Sequence, residues 1–160
     1  MPAPILIVTG TNPDDRVLAG RVIAAENNWP FIDIEALTGT LAECLLGEAT
    51  GDSGNRTSLT YKNVVLPAQV AAAGDAAWAQ AEAGVPGAVI VSPQRPDTDW
   101  VNDLNEGFQG LGAEASFVHV LSDGEQRPAL DPEHFVVRTP TTAEDLFAAA
   151  TLIAVEVAQD

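Results

Sequence analysis

Apolar positions along the chain alternate between short continuous runs and longer stripes of helical spacing. Residues 5–8, Ile-Leu-Ile-Val, are wholly apolar and end at Thr9-Gly10, which reads as a strand buried on both faces. Asn12, Pro13, Asp14 and Asp15 then carry the marks of a helix start: a capping side chain, a proline at the first position and acids in the first turn. The helix is predicted to run to about Asn27, with Val17, Leu18, Val22 and Ile23 along its buried stripe. Residues 31–35 predict a second strand and residues 36–46 a second helix, interrupted by Gly39. Residues 47–60, rich in Gly, Ser, Thr and Asn, are the most loop-like stretch. A helix over 61–83 with a kink at Pro67 follows, then a strand at 88–91 and a helix at about 97–109. Strands at 117–121 and 135–138 and a helix over about 141–157, opened by the capping box Thr141-Thr142-Ala143-Glu144, complete the chain. Short apolar strands alternating with amphipathic helices predict one α/β domain spanning residues 1–160, a doubly wound, mostly parallel sheet of five strands in an α/β/α sandwich.

Composition adds what this fold could meet. Hydrophobic residues make up 46% of the 160, enough for a full core, so the acidity is not that of a disordered tail. The formal charge is −16, with the acids spread along the chain and only one lysine, Lys62, beside six arginines. Such a field repels nucleic acid and anionic lipid. One cysteine, Cys44, leaves no internal disulfide and no cysteine-based zinc site, and its leucine neighbours suggest a buried small hydrophobe. No apolar run reaches the roughly 18 residues of a membrane span. The first residues lack the basic region of a signal peptide, so a cytoplasmic location is expected.

In a sheet of this kind ligands bind beyond the carboxyl ends of the strands, which directs attention to the turn after the first strand. A phosphate-binding loop there reads G-x-x-x-x-G-K-[ST]: its glycines let amides converge on phosphate, its lysine reaches the terminal phosphates and its hydroxyl binds Mg²⁺. The chain has Gly10-Thr-Asn-Pro-Asp-Asp15-Arg16-Val17 in the same frame. The first glycine is kept, Asp15 replaces the second, Arg16 the lysine and Val17 the hydroxyl, while Pro13 removes an amide donor. Asp14 and Asp15 sit at the positive end of the helix dipole, where a phosphate would meet like charges.

The stretches Ile5-Leu-Ile-Val-Thr-Gly10, Leu18-Ala-Gly-Arg-Val-Ile-Ala-Ala25 and Trp29-Pro-Phe-Ile-Asp-Ile-Glu35 together resemble the opening of shikimate kinases. The likeness covers about residues 5–46 and continues more weakly through 88–92, 117–121 and 135–157. It implies a P-loop kinase fold. It also implies that Asp33 and Glu35 match two acids which in that family serve shikimate hydroxyls and the hydration of Mg²⁺. The departures point away from phosphoryl transfer. Besides the altered loop, Ser92-Pro93-Gln94 replaces a triple-glycine turn, and only about a dozen residues, 122–134, with Arg127 their one basic residue, stand where the family inserts a lid. The resemblance therefore implies a fold relative that has lost catalysis and acts as a binding or interaction protein, with no cofactor. A small molecule or protein is the expected partner, and self-association is open to it.

Two other functions compete. One is an active small-molecule kinase working with Arg16 and the strand-two acids. The other is a Rossmann-like NAD(P) binder, since Thr9-Gly10 is followed some twenty residues later by an acid, although the turn lacks the further glycines. Arg56 and Lys62 flank the 47–60 segment and could take a small carboxylate or a partner's acid, so Asp33, Glu35 and Arg56 form the expected ligand site. His119 and His134 have no ligand-like spacing and are expected to be structural. Ser53, in Gly-Asp-Ser-Gly, lacks the strand-to-helix elbow that activates a nucleophile. Trp78 and Trp100 are expected to be half-buried anchors, and Trp29 to staple the first helix to the sheet.

Overall fold

Strand β1 (Pro4–Gly10) forms the centre of a parallel sheet in the computed structural model, which describes residues 4–10, 12–85, 87–92, 114–121 and 135–138. It lies between β3 (Ala88–Val91) and β4 (Glu114–Leu121); β2 (Phe31–Asp33) pairs with β3 and β5 (Phe135–Arg138) with β4, giving the order β2-β3-β1-β4-β5. Four of these strands carry described core side chains, and β5 enters through its backbone pairing with β4 alone.

Alternation along β1 sorts the core into two layers. Leu6 and Val8 pack with Ala19, Ile23 and Ala24 of α1 (Pro13–Asn27) on one face. Ile5 and Ile7 pack on the other, with Ile34, Ala42 and Leu46 of α2 (Ile34–Thr50) and Val70 and Ala73 of α3 (Leu66–Glu82). Leu6, Ile7 and Val8 are fully buried, each burial worth about 1.5–3 kcal/mol. The continuous apolar run is thus a strand with helices on both sides.

Several expectations shift. Helix α1 buries Arg16, Ala19, Gly20, Ile23 and Ala24, while Leu18 is exposed; the buried stripe is rotated from the one the apolar residues suggest. Close packing explains the rotation, because a Cβ on Gly20 would meet Val91 and Phe31 at 2.7 and 3.0 Å. Strand β2 stops at Asp33, which caps α2 by accepting the Glu35 amide at 3.0 Å, so Glu35 opens a helix rather than closing a strand. Helix α2 runs through Gly47 to Thr50, shortening the loop, and ends at Gly51 with φ 75°, where glycine fits best.

The helix expected over 61–83 is continuous but irregular before Pro67: Tyr61–Val65 forms a π-helical turn in which the Leu66 amide reaches back five residues to Tyr61, and Pro67 then stands in the first turn of α3. Cys44, expected inside, is exposed on α2, and Trp78 is 54% exposed on α3. Trp29 does pack against the α1 layer, and its ring lies where a side chain on Gly87 would project, with a Cβ there only 2.7 Å from it. The helices expected at 97–109 and 141–157, the 122–134 connection, Pro93, Gln94, Trp100, Arg127 and His134 lie outside the described residues. Among the described residues no helix is long and apolar enough to cross a membrane.

Candidate functional site

The register brings the carboxyl ends of the strands together. Val8 and Asp33 both pair with Val91, and Gly10 pairs with Val120, so the β1–α1 and β2–α2 turns open at the same edge of the sheet. Gly10 passes so close to β4 that a Cβ would lie 2.5 Å from the Val120 carbonyl oxygen; only glycine fits.

At the β1–α1 turn the helix mouth is occupied by the chain itself. The Asn12 side chain accepts from the amides of Asp14 and Asp15 at 3.0 and 3.3 Å, and the Asn12 backbone carbonyl accepts the Arg16 amide at 3.1 Å. Amides of this kind are the donors with which a helix N-terminus holds phosphate. The carboxylate of Asp14 is exposed and Asp15 half-buried, so the aspartates contribute charge to the mouth while Asn12 makes the cap. Arg16 is 6% exposed, and its Nη1 donates to the Gly10 carbonyl. Burial lowers the guanidinium's pKa from its ordinary value, and the carboxylates of Asp33 and Glu35 oppose that shift. Val17, in the frame position of the Mg²⁺-binding hydroxyl, packs against the apolar layer under α1.

The β2–α2 turn gathers the other expected residues. Glu35 meets Arg56 through both oxygens: Arg56 Nη2 donates to Oε2 at 2.8 Å, and Nη1 lies 2.6 Å from Oε1 as an ion contact, in a pair that is half-buried. Burial pushes the Glu35 carboxyl up; Arg56 pulls it down, Asp33 raises it and Arg16 lowers it. Arg16, Asp33, Glu35 and Arg56 therefore form one electrostatically linked group contributed by α1, β2, α2 and the loop after it. Lys62 is exposed on the π-helical turn.

Beneath this group lies a hydrogen-bonded chain that sequence reasoning missed. Arg56 Nη1 donates to the Tyr61 hydroxyl at 3.2 Å, and the guanidinium lies 5.3 Å from the Tyr61 ring centre. Tyr61 donates to Gln69 Oε1 at 2.9 Å, Gln69 Nε2 donates to Thr38 Oγ1 at 3.1 Å, and Thr38 returns its proton to the Ile34 carbonyl at 2.7 Å. Tyr61 is the chain's one tyrosine, the single hint the sequence offered. His119 is buried, hydrogen-bonded through Nδ1 to the Thr9 hydroxyl and stacked on Phe117 with ring centres 6.4 Å apart, a structural placement.

No family profile matches the sequence, and no curated protein matches it. Solved structures do. A sugar kinase from Janibacter sp. HTCC2649, solved without ligand, superposes with a TM-score of 0.66 at 16% identity, over 98% of this chain and 96% of that one. A gluconokinase from Sinorhizobium meliloti 1021 gives 0.62 at 16% identity, over 98% and 94%. The APS kinase CysC of Mycobacterium tuberculosis, in complex with AMPPNP and APS, gives 0.57 at 11% identity over the full length of both. The chain has the P-loop kinase fold. Within that fold β3 stands between β1 and β2, whereas a Rossmann sheet sets the second strand directly beside the first, so the dinucleotide reading is not favoured. Identities this low carry the architecture and leave the chemistry to the residues above.

Proposed function

We propose that the chain is a non-catalytic relative of the small-molecule P-loop kinases, of the shikimate-kinase-like kind its sequence suggests, and works as a binding protein. The observation that carries this reading is the self-occupied mouth of α1: the Asp14 and Asp15 amides are bonded to Asn12, and Arg16 is turned onto the Gly10 carbonyl. A triphosphate would have to displace Asn12, extract a buried guanidinium and settle beside Asp14 and Asp15, with Val17 offering no hydroxyl for Mg²⁺. The ligand end is the Asp33–Glu35–Arg56 group. There a small carboxylate, or an acid on a protein partner, competes with Glu35 for the fork of Arg56.

A second reading, phosphate transfer from ATP, draws support from the kinases whose folds cover this chain almost end to end. It requires Arg16 to leave Gly10 and serve in place of a lysine. Titration calorimetry with MgATP, together with transfer from γ-labelled ATP to water or shikimate, separates the two. Neither heat nor released label is expected. Micromolar binding, or label release that disappears in Arg16→Ala, overturns the non-catalytic reading.

A further inference from the structure

Among the described residues, helix α2 is apolar on more of its surface than the core covers. Ile34, Thr38, Ala42 and Leu46 face the core, and beside that stripe, at steps of three and four residues, run Leu37, Leu41, Cys44 and Leu45. Leu37 is 53% exposed, Leu41 63% and Leu45 44%, and Cys44 is exposed among them. Single exposed leucines need no explanation, but three in line over two turns form a surface of the kind that takes a partner.

Charge decides which partner. Helix α2 carries Glu35, Glu43 and Glu48 and no basic residue, Asp52 follows it, and the whole chain stands at −16. A membrane-surface helix carries lysine and arginine along its polar edge, the opposite of this one. Pairing with a second copy would bring two acidic helices side by side within two strongly negative molecules. We infer that the Leu37–Leu41–Leu45 face of α2 docks a basic amphipathic helix of another protein, leucine-type side chains seated between the three leucines and lysines or arginines against Glu48 at the end of the stripe and within the chain's negative field. This is the helix-on-apolar-face mode of recognition, with opposite charge setting orientation and encounter rate. The surface is separate from the mouth of α1, so its test is independent of whether nucleotide binds.

Cys44, the only cysteine of the chain, lies inside the footprint and reports on its occupancy. The probe is a synthetic leucine–lysine helical peptide of about 18 residues, compared with a peptide of equal charge whose leucines are serines. At physiological salt the leucine peptide is expected to bind about tenfold or more tightly than its control, the equivalent of seating roughly one leucine. It should slow alkylation of Cys44 severalfold, and the exposed-site variant Leu41→Asn should abolish both effects while melting normally. Equal binding of the two peptides shows attraction by the overall field alone and overturns the proposal. So does unchanged Cys44 reactivity at saturation. So does a dimer of the free protein that Leu41→Asn disperses in sedimentation, since the face would then belong to a second copy.

Discussion

Helices α1 and α2 spring from the carboxyl ends of the buried strand β1 and the half-buried strand β2, and each opens on a side chain that accepts from its first turn, Asn12 for α1 and Asp33 for α2. Their treatment of charge then diverges. At α1 the cation is drawn inward: Arg16 is buried and spends a donor on the backbone of the preceding strand. At α2 an acid is met from outside by Arg56, in a pair that keeps part of its surface in water, with side-chain exposures of 21% and 34%. A buried charge tied to backbone is a structural part, because removing it leaves uncompensated groups behind. A half-exposed ion pair is exchangeable, since water and external ions can replace either member at little net cost. Two turns of similar construction at one edge of a sheet thus differ in what they can still bind, and the difference lies in burial.

The contrast is broken most directly at Arg16. Replacement by alanine removes a buried donor from the Gly10 carbonyl and a cation that acts on Asp33 and Glu35, and is expected to destabilise the fold by about 3 kcal/mol in denaturant unfolding. Arg16→Lys should recover little of it, because a point ammonium does not reproduce the guanidinium geometry. If Arg16→Ala unfolds at the parent's denaturant midpoint, the sealed mouth is an ordinary surface turn. Gly10→Ala is the next largest. Its Cβ would collide with the Val120 carbonyl, a backbone atom of a central strand that cannot swing aside, for an expected loss of about 2–3 kcal/mol.

Residues read from the sequence at the first turn were legible because the features are local. The strand, its ending glycine, the Asn12 cap and Pro13 follow one another within ten positions, and short-range rules govern each. Asp33, Glu35 and Arg56 could be named from their strand-end position and from the scarcity of cations, but not joined: the bond from Glu35 to Arg56 spans 21 residues of helix and loop. The Tyr61–Gln69–Thr38 chain was invisible for the same reason, since Gln69 and Thr38 lie 31 residues apart and meet only because α2 packs on α3. Periodicity misled where packing overruled composition. Leu18 and the exposed leucines of α2 have the hydrophobicity of core residues, yet Gly20 and Ala42 take inward positions, and at Gly20 the reason is plain, since a side chain there would meet Val91 and Phe31. Cys44 was placed inside on the same mistaken ground.

The exchangeable side of the comparison is sharpened through pH. Glu35 is held above the ordinary glutamate range by burial, with Arg56 as the main opposing influence. A carboxyl whose folded pKa is raised binds its proton more readily folded than unfolded. Its contribution to stability is therefore fully present at low pH and falls as pH rises from the ordinary glutamate range through the raised folded value. Arg56→Ala removes the principal restraint and lifts Glu35 further. The expected loss is about 1–2 kcal/mol near neutrality, and it should shrink on acidification. Adding Glu35→Gln to Arg56→Ala should flatten that pH dependence and restore part of the stability. Parallel stability–pH curves for parent and Arg56→Ala would mean that the pair is not electrostatically coupled.

Asn12→Ala gives the smallest expected effect and bears directly on the closed mouth. The variant loses the acceptor for two amides, which costs a helix cap of this kind about 1 kcal/mol. It also leaves the Asp14 and Asp15 amides open at the positive end of the α1 dipole, while Arg16 stays folded on Gly10. If the asparagine alone blocks the mouth, inorganic phosphate should raise the melting temperature of Asn12→Ala more than that of the parent. If the exposed Asp14 and half-buried Asp15 keep anions away as well, phosphate will leave both unchanged until those acids are also replaced by their amides. The second outcome is the one expected, because an entering phosphate would still face two carboxylates at short range. A strong phosphate response in the single variant would place the whole barrier on one side chain, and would make the mouth of α1 as exchangeable as the Glu35–Arg56 pair beside it.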